Sequence, residues 1–317
     1  MNAVGSEDSS PVRVSLQELI DLRRAAQSLV SKKRRIRAVT TGVYSSSFRG
    51  RGMEFDETRP YIAGDDIRTL DWKVTARTNK PHTKLYREER ERPVQVCVDL
   101  RSNMFFATRG VFKAVMCARL AAILVWRALL HRDRTGGFLF SDQVHDEIKP
   151  RGGKSAVLQY LRRLAANPAW HRTLQRSLQP HQETLNQALT RLRRVARPGS
   201  LIFILSDFRG LDRVGESHLH ELARRNEIVL IFCFDQFERR LPLPGVYHVT
   251  DGQQTVTFDN FGGGASRRYE ARFEAHFRRL EALGNVPGIF LLSCTSSDDP
   301  LAVLQAGLRR SSLLCQT

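Results

Sequence analysis

Apolar and polar residues change their spacing several times along the chain, and each change predicts a different kind of element. From Leu16 to Arg35 the apolar residues recur at near-helical spacing, which predicts an amphipathic helix with a basic C-terminal end. From Thr40 to Pro93, short segments rich in glycine, serine, threonine and aromatic residues predict a compact β-rich structure. We therefore expect an N-terminal tail and helix at residues 1–39 and a small β-rich unit at residues 40–93.

After Pro93, apolar strands alternate with amphipathic helices, which predicts a larger α/β domain over residues 94–317. Predicted strands cover residues 94–99, 134–140, 200–206, 227–234 and 288–293, and predicted helices cover residues 111–130, 154–165, 184–196, 215–225, 267–284 and 300 onwards. The runs Leu201–Leu205 and Ile228–Phe232 are entirely apolar, so both faces of these strands must be covered. The fold class is therefore α/β, with a doubly wound, mainly parallel, Rossmann-like sheet. A hairpin is expected at 245–258, and a flexible joint at Gly262–Gly264.

Composition is ordinary for a globular protein, with 41% hydrophobic and 26% charged residues. The five cysteines are far apart and mostly lie in apolar runs, which indicates buried thiols in a reducing compartment. Arg119 and Arg127 interrupt the longest apolar stretch, so no membrane span is predicted. We expect a cytoplasmic protein.

The net charge of +17 is unevenly distributed. Residues 151–200 contain ten basic residues and a single acidic residue, Glu183, a local net charge of +9. Five arginines form the candidate basic patch: Arg162, Arg163, Arg191, Arg193 and Arg194. Such a surface attracts nucleic acid, anionic lipid or an acidic protein, but a solvated arginine-rich face explains it equally well.

Catalytic motifs fail when their spacing is tested. Gly50–Phe55 begins like a dinucleotide loop but lacks the final glycine and the surrounding strand and helix. Gly153–Ser155 lacks the upstream glycine of a phosphate loop, and no Gly-x-Ser-x-Gly elbow occurs. His218 and His220 are two residues apart, so on a helix they point to different faces. The sequence therefore predicts a protein that is not an enzyme.

Two carboxylates end predicted strands. Asp99 closes the strand from Val94, and Asp207 follows the strand from Leu201. In a parallel sheet, ligands bind outside the carboxyl ends of the strands, and two acids there are candidate ligands for a hard divalent cation. The alternative is that each aspartate only caps the segment that follows it.

These residues resemble a known site. Asp99–Asn103, Thr184 and Asp207 follow the order and spacing of the von Willebrand A metal-ion-dependent adhesion site. The block upstream of Asp99 resembles the bacterial family called domain of unknown function 58, through the runs Gly50–Phe55, Arg59–Tyr61, Gly64–Arg68 and Leu70–Arg77, and the resemblance continues through Asp133–Phe138. The resemblance implies a von Willebrand A-like sheet. It also implies a partnership with MoxR-type AAA+ ATPases in chaperone-like assembly or metal insertion.

The chain departs from the adhesion-site pattern at two positions, where Arg101 and Asn103 replace serines. An asparagine still offers an oxygen to a metal, whereas a guanidinium has only donors and stays charged. We therefore hypothesise that Arg101 is a built-in cation bridging Asp99 and Asp207, which leaves the site metal-free. If Arg101 instead faces solvent, Asp99, Asn103, Thr184 and Asp207 form a degenerate site for weakly bound Mg²⁺ or Mn²⁺.

The block within the β-rich unit has two interpretations. Its charged and aromatic residues either cap turns and pack the unit, or form a docking face for the ATPase; they are Asp65, Asp66, Arg68, Asp71, Trp72 and Arg77.

For the function of the whole protein, the leading prediction is a non-enzymatic adaptor of an AAA+ ATPase. The alternative is a nucleic-acid-binding protein that uses the basic 151–200 segment.

Overall fold

The computed structural model describes residues 10–30, 53–88, 91–171, 184–241, 245–250, 255–259 and 263–310. The chain divides into two compact units. The small unit contains residues 34–91, and the large unit contains residues 1–33 together with residues 92–317.

The N-terminal segment forms two short helices, α1 (Leu16–Asp21) and α2 (Arg23–Val30). The side chain of Ser15 caps the start of α1 by accepting from the backbone nitrogen of Glu18. The predicted single helix is therefore interrupted at Leu22, and its last residues, 31–35, lie outside the described part of the chain. Leu19 is fully buried, and its carbonyl accepts from Trp126 Nε1, which fixes α1 against the helix at Lys113–Leu130 within the large unit.

The small unit contains an antiparallel pair of strands, β1 (Met53–Pro60) and β2 (His82–Glu88). Between them lie a 3-10 turn, Ile67–Thr69, and the helix α3 (Trp72–Thr78). The β-rich prediction missed α3, because seven residues give too short a periodic pattern. Asp71 starts α3 by accepting from the backbone nitrogens of residues 73 and 74.

The large unit is built on a six-stranded sheet and a separate hairpin. Its strands are β3 (Pro93–Asp99), β4 (Arg134–Phe140), β5 (His145–Arg151), β6 (Leu201–Ser206), β7 (Glu227–Phe234), β8 (Val246–Thr250), β9 (Thr255–Asp259) and β10 (Ile289–Thr295). The sheet order is β10-β7-β6-β3-β4-β5, and all neighbours are parallel except β4 and β5. β8 and β9 form the predicted hairpin, whose turn lies outside the described residues. The mainly parallel α/β prediction is confirmed.

Helices cover both faces of this sheet. They are α4 (Lys113–Leu130), α5 (Lys154–Ala165), α6 (Leu185–Val195), α7 (Arg213–Ala223), α8 (Gln236–Arg239), α9 (Gly263–Gly284) and α10 (Pro300–Arg310). One hydrophobic core joins the sheet to α1, α2, α4, α5 and α10, and a second core joins it to α6, α7 and α9. α4 is buried on nearly every side, which explains its almost unbroken apolar sequence.

Two local predictions were wrong or incomplete. Strand β5 was not predicted, because Ile148 is its one buried residue and the rest of this edge strand is polar or partly exposed. Gly263 and Gly264 begin the long helix α9 and do not form a flexible joint.

The structure places Cys97, Cys117, Cys233 and Cys294 as buried free thiols, as expected. In the described part of the chain, we find no helix with the length and apolar character needed to cross a bilayer.

Candidate functional site

A cluster of charged side chains lies at the carboxyl ends of the central strands. β3 ends at Asp99, its neighbour β6 ends at Ser206, and Asp207 follows directly. We call this group the strand-end cluster; it comprises Asp99, Arg101, Asn103, Lys113, Ser206, Asp207, Arg209 and Glu238. The parallel pairing of β3 with β6 brings Asp99 and Asp207 to one edge of the sheet, as their positions in the sequence predict.

Asp99 is fully buried and is held by Arg101. Arg101 Nε lies 3.0 Å from Oδ1 and 3.1 Å from Oδ2 of Asp99, and Arg101 Nη2 lies 2.7 Å from Oδ2. The backbone nitrogen of Arg101 and the hydroxyl of Ser206 also donate to this carboxylate, at 2.9 Å and 2.6 Å. Burial raises the pKa of Asp99, and the charge of Arg101 opposes this effect. The donors directed at the carboxylate favour its ionised form and so oppose the effect of burial.

Asp207 has different partners from Asp99. Asn103 Nδ2 donates to Asp207 Oδ1 at 2.6 Å, and Lys113 Nζ donates to Asp207 Oδ2 at 2.9 Å. Lys113 Nζ also donates to Glu238 Oε1 at 2.7 Å. Arg101 therefore does not form the expected hydrogen-bonded bridge between the two aspartates: it binds Asp99, whereas Lys113 from the start of α4 binds Asp207.

The two buried partners shift each other's pKa. Burial by itself would raise the pKa of Asp207, but the charge and hydrogen bond of Lys113, together with the backbone nitrogen and charge of Arg209, outweigh burial, so the pKa of Asp207 lies below its ordinary value. Burial would lower the pKa of Lys113, but the charges of Asp207 and Glu238 raise it above its ordinary value. Lys113 is therefore a protonated, fully buried cation.

Sequence reasoning missed Lys113, Arg209 and Glu238. Arg209 is 55% exposed, and its Nη2 donates to Glu238 Oε1 at 2.9 Å. Glu238 lies on α8, directly after strand β7. The acidic residue at the end of that strand, Asp235, was a signal that further charged residues gather here, whereas nothing local to Lys113 pointed to Asp207.

Asp235 connects three segments beside the cluster. Its carboxylate accepts from the hydroxyl and backbone nitrogen of Thr108 and from the hydroxyl of Ser296, at 2.6 Å, 2.9 Å and 2.7 Å. It also caps α8 through the backbone nitrogen of Phe237. Asp235 therefore ties the ends of β7 and β10 to the loop before α4.

The donor set does not fit the divalent cation that the resemblance implies. Thr184 is exposed, and its hydroxyl caps α6 by accepting from the backbone nitrogen of Gln187. Asn103 directs its amide nitrogen, and not its oxygen, towards Asp207. The oxygens of Asp99 already accept five hydrogen bonds, whereas a carboxylate has about four lone-pair positions. Of the four candidate ligands, only the two aspartates and Asn103 are brought together.

The candidate docking residues of the small unit have two different environments. The carboxylates serve local structure: Asp65 binds Arg59 at 2.7 Å, Asp66 caps the 3-10 turn, and Asp71 caps α3. Trp72 is 69% exposed, and Arg68 and Arg77 are exposed as well.

The candidate basic patch lies on two helices. Arg162 and Arg163 belong to α5, and Arg191, Arg193 and Arg194 belong to α6. These helices pack into different hydrophobic cores on opposite faces of the sheet. Two of the arginines form ion pairs, Arg163 with Asp146 and Arg193 with Glu221.

Comparison with known families adds to this geometry. Residues 57–281 match the family described as Protein of unknown function DUF58. The chain belongs to this family. The matched region covers most of the described large unit and much of the small unit, so the strand-end cluster lies within the DUF58 region.

Proteins that are similar in sequence to this chain include uncharacterized proteins of Mycobacterium bovis and Mycobacterium tuberculosis. Each is 27% identical over 224 residues, which covers 71% of this chain and 68% of the mycobacterial protein.

Two solved structures are also similar to the DUF58 chain. The conserved hypothetical protein BatB from Bacteroides thetaiotaomicron has a TM-score of 0.42 and 12% identity, over 69% of this chain and 98% of that chain. An aerotolerance-related membrane protein from Bacteroides fragilis has a TM-score of 0.41 and 11% identity, over 69% of this chain and all of that chain.

Proposed function

We propose that this protein is a non-enzymatic, cytoplasmic adaptor that binds a MoxR-type AAA+ ATPase, and that its large unit is a von Willebrand A-like interaction domain. The observation that carries the proposal is the strand-end cluster, in which Arg101 and Lys113 hold the buried carboxylates in place. Such a cluster fixes the shape of a recognition surface. The resemblance supplies the class of partner and the role in chaperone-like assembly or metal insertion.

The protonation states in the cluster favour binding over catalysis. A general acid or base needs a pKa near the operating pH and access to the substrate. Lys113 is fully buried and its pKa is raised, and Asp207 is buried and its pKa is lowered. Neither residue exchanges a proton near neutral pH, so the pair stabilises structure and does not transfer protons.

The exposed side chains in the loops that follow β3 and β6 include Ser102, Phe106 and Arg209. Ser102 is exposed, Phe106 is 38% exposed and Arg209 is 55% exposed. The backbone carbonyl of Arg209 accepts from Arg101 Nη2 at 3.2 Å, so the buried pair also positions the loop that carries Arg209. A protein partner can contact these side chains while the charges beneath them stay paired.

The small unit offers a second surface. Ile62, Ile67 and Trp72 are 62%, 65% and 69% exposed. Four cations of the same segment are exposed as well: Arg68, Lys73, Arg77 and Lys80. We call these seven residues the apolar-basic patch. Exposed apolar side chains on an ordered loop mark interaction sites, and tryptophan and arginine dominate binding energy at protein interfaces. Backbone nitrogens donate to the carboxylates of Asp65, Asp66 and Asp71, and these hydrogen bonds hold this loop in place.

The charge of the apolar-basic patch specifies its partner. Its aspartates are occupied in local hydrogen bonds, and its cations are exposed, so we propose that the ATPase contributes an acidic rim around an apolar depression. Asp66 is exposed within the same loop, and this mixture of signs suits a protein surface better than a uniformly anionic membrane.

The distribution of arginines also favours a protein partner over nucleic acid. The five arginines of the candidate basic patch are divided between α5 and α6 on opposite faces of the sheet, and two of them are already paired with carboxylates. A single continuous basic surface, which nucleic-acid binding requires, is not formed by these two helices.

The test is direct binding between the full chain and the purified MoxR-type ATPase of the same bacterium, measured by calorimetry with ATP and with ADP. We expect binding in at least one nucleotide state. Trp72→Ala and Arg77→Glu should weaken the affinity by about tenfold each or more, as truncation of interface anchors does. Ser102→Arg tests the strand-end surface by adding bulk and charge without touching a buried pair.

Two matched controls carry the same chemical changes on α7 or just after it. Val214→Ala removes an apolar side chain that is 57% exposed, and Arg224→Glu reverses an exposed charge. Both controls should bind like the unmodified protein. Absence of binding in both nucleotide states would contradict the proposal. Affinity for a labelled oligonucleotide that falls log-linearly with salt would instead support the nucleic-acid alternative.

A further inference from the structure

The side chain of Lys113 is enclosed beside a carboxylate that a metal-dependent site would need to keep free. Its Nζ is fully buried, 2.9 Å from Asp207 Oδ2 and 2.7 Å from Glu238 Oε1. Lys113 is the first residue of α4, where the positive end of the helix dipole disfavours a cation. The two carboxylates are therefore what stabilises the ammonium at this position.

Arg101 forms an ion pair with Asp99, as Lys113 does with Asp207. Arg209 is the third cation of the cluster and forms an ion pair with Glu238. Within the strand-end cluster, three carboxylates face three cations; the carboxylates are Asp99, Asp207 and Glu238, and the cations are Arg101, Lys113 and Arg209. The cluster is thus balanced in charge by the protein's own side chains.

We propose that Arg101 and Lys113 are permanent internal cations that take the place of the divalent metal in this site, so that its structure and its recognition of a ligand are independent of metal. The recognition part rests on the proposed adaptor function, whereas the absence of a metal requirement does not. A hard cation would have to displace charged donors from Asp99 and Asp207, and it would add positive charge to a balanced cluster.

Because Lys113 occupies Asp207, removing Arg101 alone does not free both aspartates for a metal. Arg101→Ser restores the serine of the adhesion-site pattern beside Asp99, but it leaves the ammonium of Lys113 on Asp207. We therefore expect that the single substitution does not create a metal site, and that both cations must be removed.

Calorimetric titration of the full chain with MgCl₂ and with MnCl₂ tests the inference. The unmodified protein and Arg101→Ser should show no binding tighter than about 1 mM, the weak limit of biological sites for hard divalent cations. The double variant Arg101→Ser with Lys113→Met should bind Mn²⁺ at least about tenfold more tightly, because two acids become available at one edge. Micromolar binding by the unmodified protein would overturn the proposal, as would equal affinities of Arg101→Ser and the double variant.

A measurement on the unmodified protein decides the question even if Lys113→Met fails to fold. A metal that binds the native state raises the unfolding temperature by mass action, so we compare thermal unfolding in about 5 mM MnCl₂ with unfolding in EDTA. For the unmodified protein, we expect the same unfolding midpoint in MnCl₂ as in EDTA. We expect the same result for Lys113→Arg, which keeps the positive charge. A higher midpoint in Mn²⁺ than in EDTA would contradict the inference, whatever the affinity for the ATPase.

Discussion

Thr108 donates to the carboxylate of Asp235 twice, through its hydroxyl at 2.6 Å and through its backbone nitrogen at 2.9 Å. These two bonds attach the loop that precedes α4 to the end of β7. Since α4 begins with Lys113, the same attachment helps to hold that residue in the strand-end cluster. The edge of the sheet is thus organised by hydrogen bonds to charged groups between segments far apart in the sequence.

Thr108→Val should lower the free energy of unfolding by about 2 kcal/mol, because it removes a hydrogen bond to a charged acceptor. Urea denaturation measures this change. Ser217→Ala, which deletes an exposed hydroxyl that bonds to its own helix, should change the stability by less than about 0.5 kcal/mol. Equal effects of the two substitutions would mean that Thr108 does not hold the loop.

Acid should destabilise the protein through Asp207 and Asp235. Burial opposes ionisation in both, but their combined hydrogen bonds and neighbouring charges outweigh burial and lower the pKa; Lys113 contributes most at Asp207 and Thr108 contributes most at Asp235. An acid with a lowered folded pKa adds stability above its ordinary value of about 3.9 and loses it as the pH falls through the folded pKa. The pKa of Asp99 is raised, so its protonation acts in the opposite direction.

We therefore expect stability to fall as the pH is lowered below about 4, measured as the free energy of unfolding between pH 7 and pH 3. Thr108→Val should show a shallower decrease, because the pKa of Asp235 then lies closer to its ordinary value. A stability that stays constant or rises over this range would show that Asp99 dominates.

Lys113→Met should cost about 3–5 kcal/mol, because it leaves the carboxylates of Asp207 and Glu238 buried without their shared cation. Arg224→Met is the matched control, since it removes an exposed cation outside the cluster, and it should change the stability by less than about 0.5 kcal/mol. Chemical denaturation of both variants provides the comparison. A cost below about 1 kcal/mol for Lys113→Met would argue against an obligatory internal cation.

Thr184 should behave as a helix cap. Thr184→Ala removes the side-chain half of a capping box on α6 and should lower the stability by about 1 kcal/mol, whereas Thr184→Ser should retain most of it. In the double variant that lacks Arg101 and Lys113, the same alanine substitution should leave Mn²⁺ affinity unchanged. A loss of affinity there would restore the metal-ligand role predicted for Thr184.

The sheet predicts a contrast between two glycines. A Cβ on Gly137 would lie 2.0 Å from the backbone oxygen of Val96, on the neighbouring strand β3. Gly137→Ala should therefore cost about 3 kcal/mol or more, because neither backbone can move without breaking the pairing of β3 with β4. Gly152→Ala places its Cβ in open space and should be nearly neutral in the same denaturation assay.

Most of the fold follows from local patterns in the sequence. The apolar runs of β6 and β7 identify central parallel strands, and the strand-end positions of Asp99 and Asp207 predict that the two acids meet. Strand β5 escapes prediction because an edge strand has few buried positions, and its pairing with β4 is set by tertiary contacts.

The site was predictable only where its residues are neighbours in sequence. Arg101 could be placed beside Asp99 because a single residue separates them, and the structure shows a direct contact between their side chains. Lys113 precedes Asp207 by 94 residues, and the packing of α4 under the sheet decides that they meet. Thr184 matched the spacing of the adhesion-site pattern, but its hydroxyl accepts a capping hydrogen bond from the backbone nitrogen of Gln187.

The buried thiols have a practical consequence for studying these surfaces. Burial raises the pKa of Cys97 to about 12, and it also raises the pKa of Cys117. Maleimides and similar reagents attack accessible thiolates, so they will pass over the buried cysteines of the native protein. Once Cys315, which lies outside the described residues, is replaced, a cysteine introduced at Arg77 or Arg224 becomes a selective attachment point. Crosslinkers and fluorophores can then map docking on a protein whose core is unaltered.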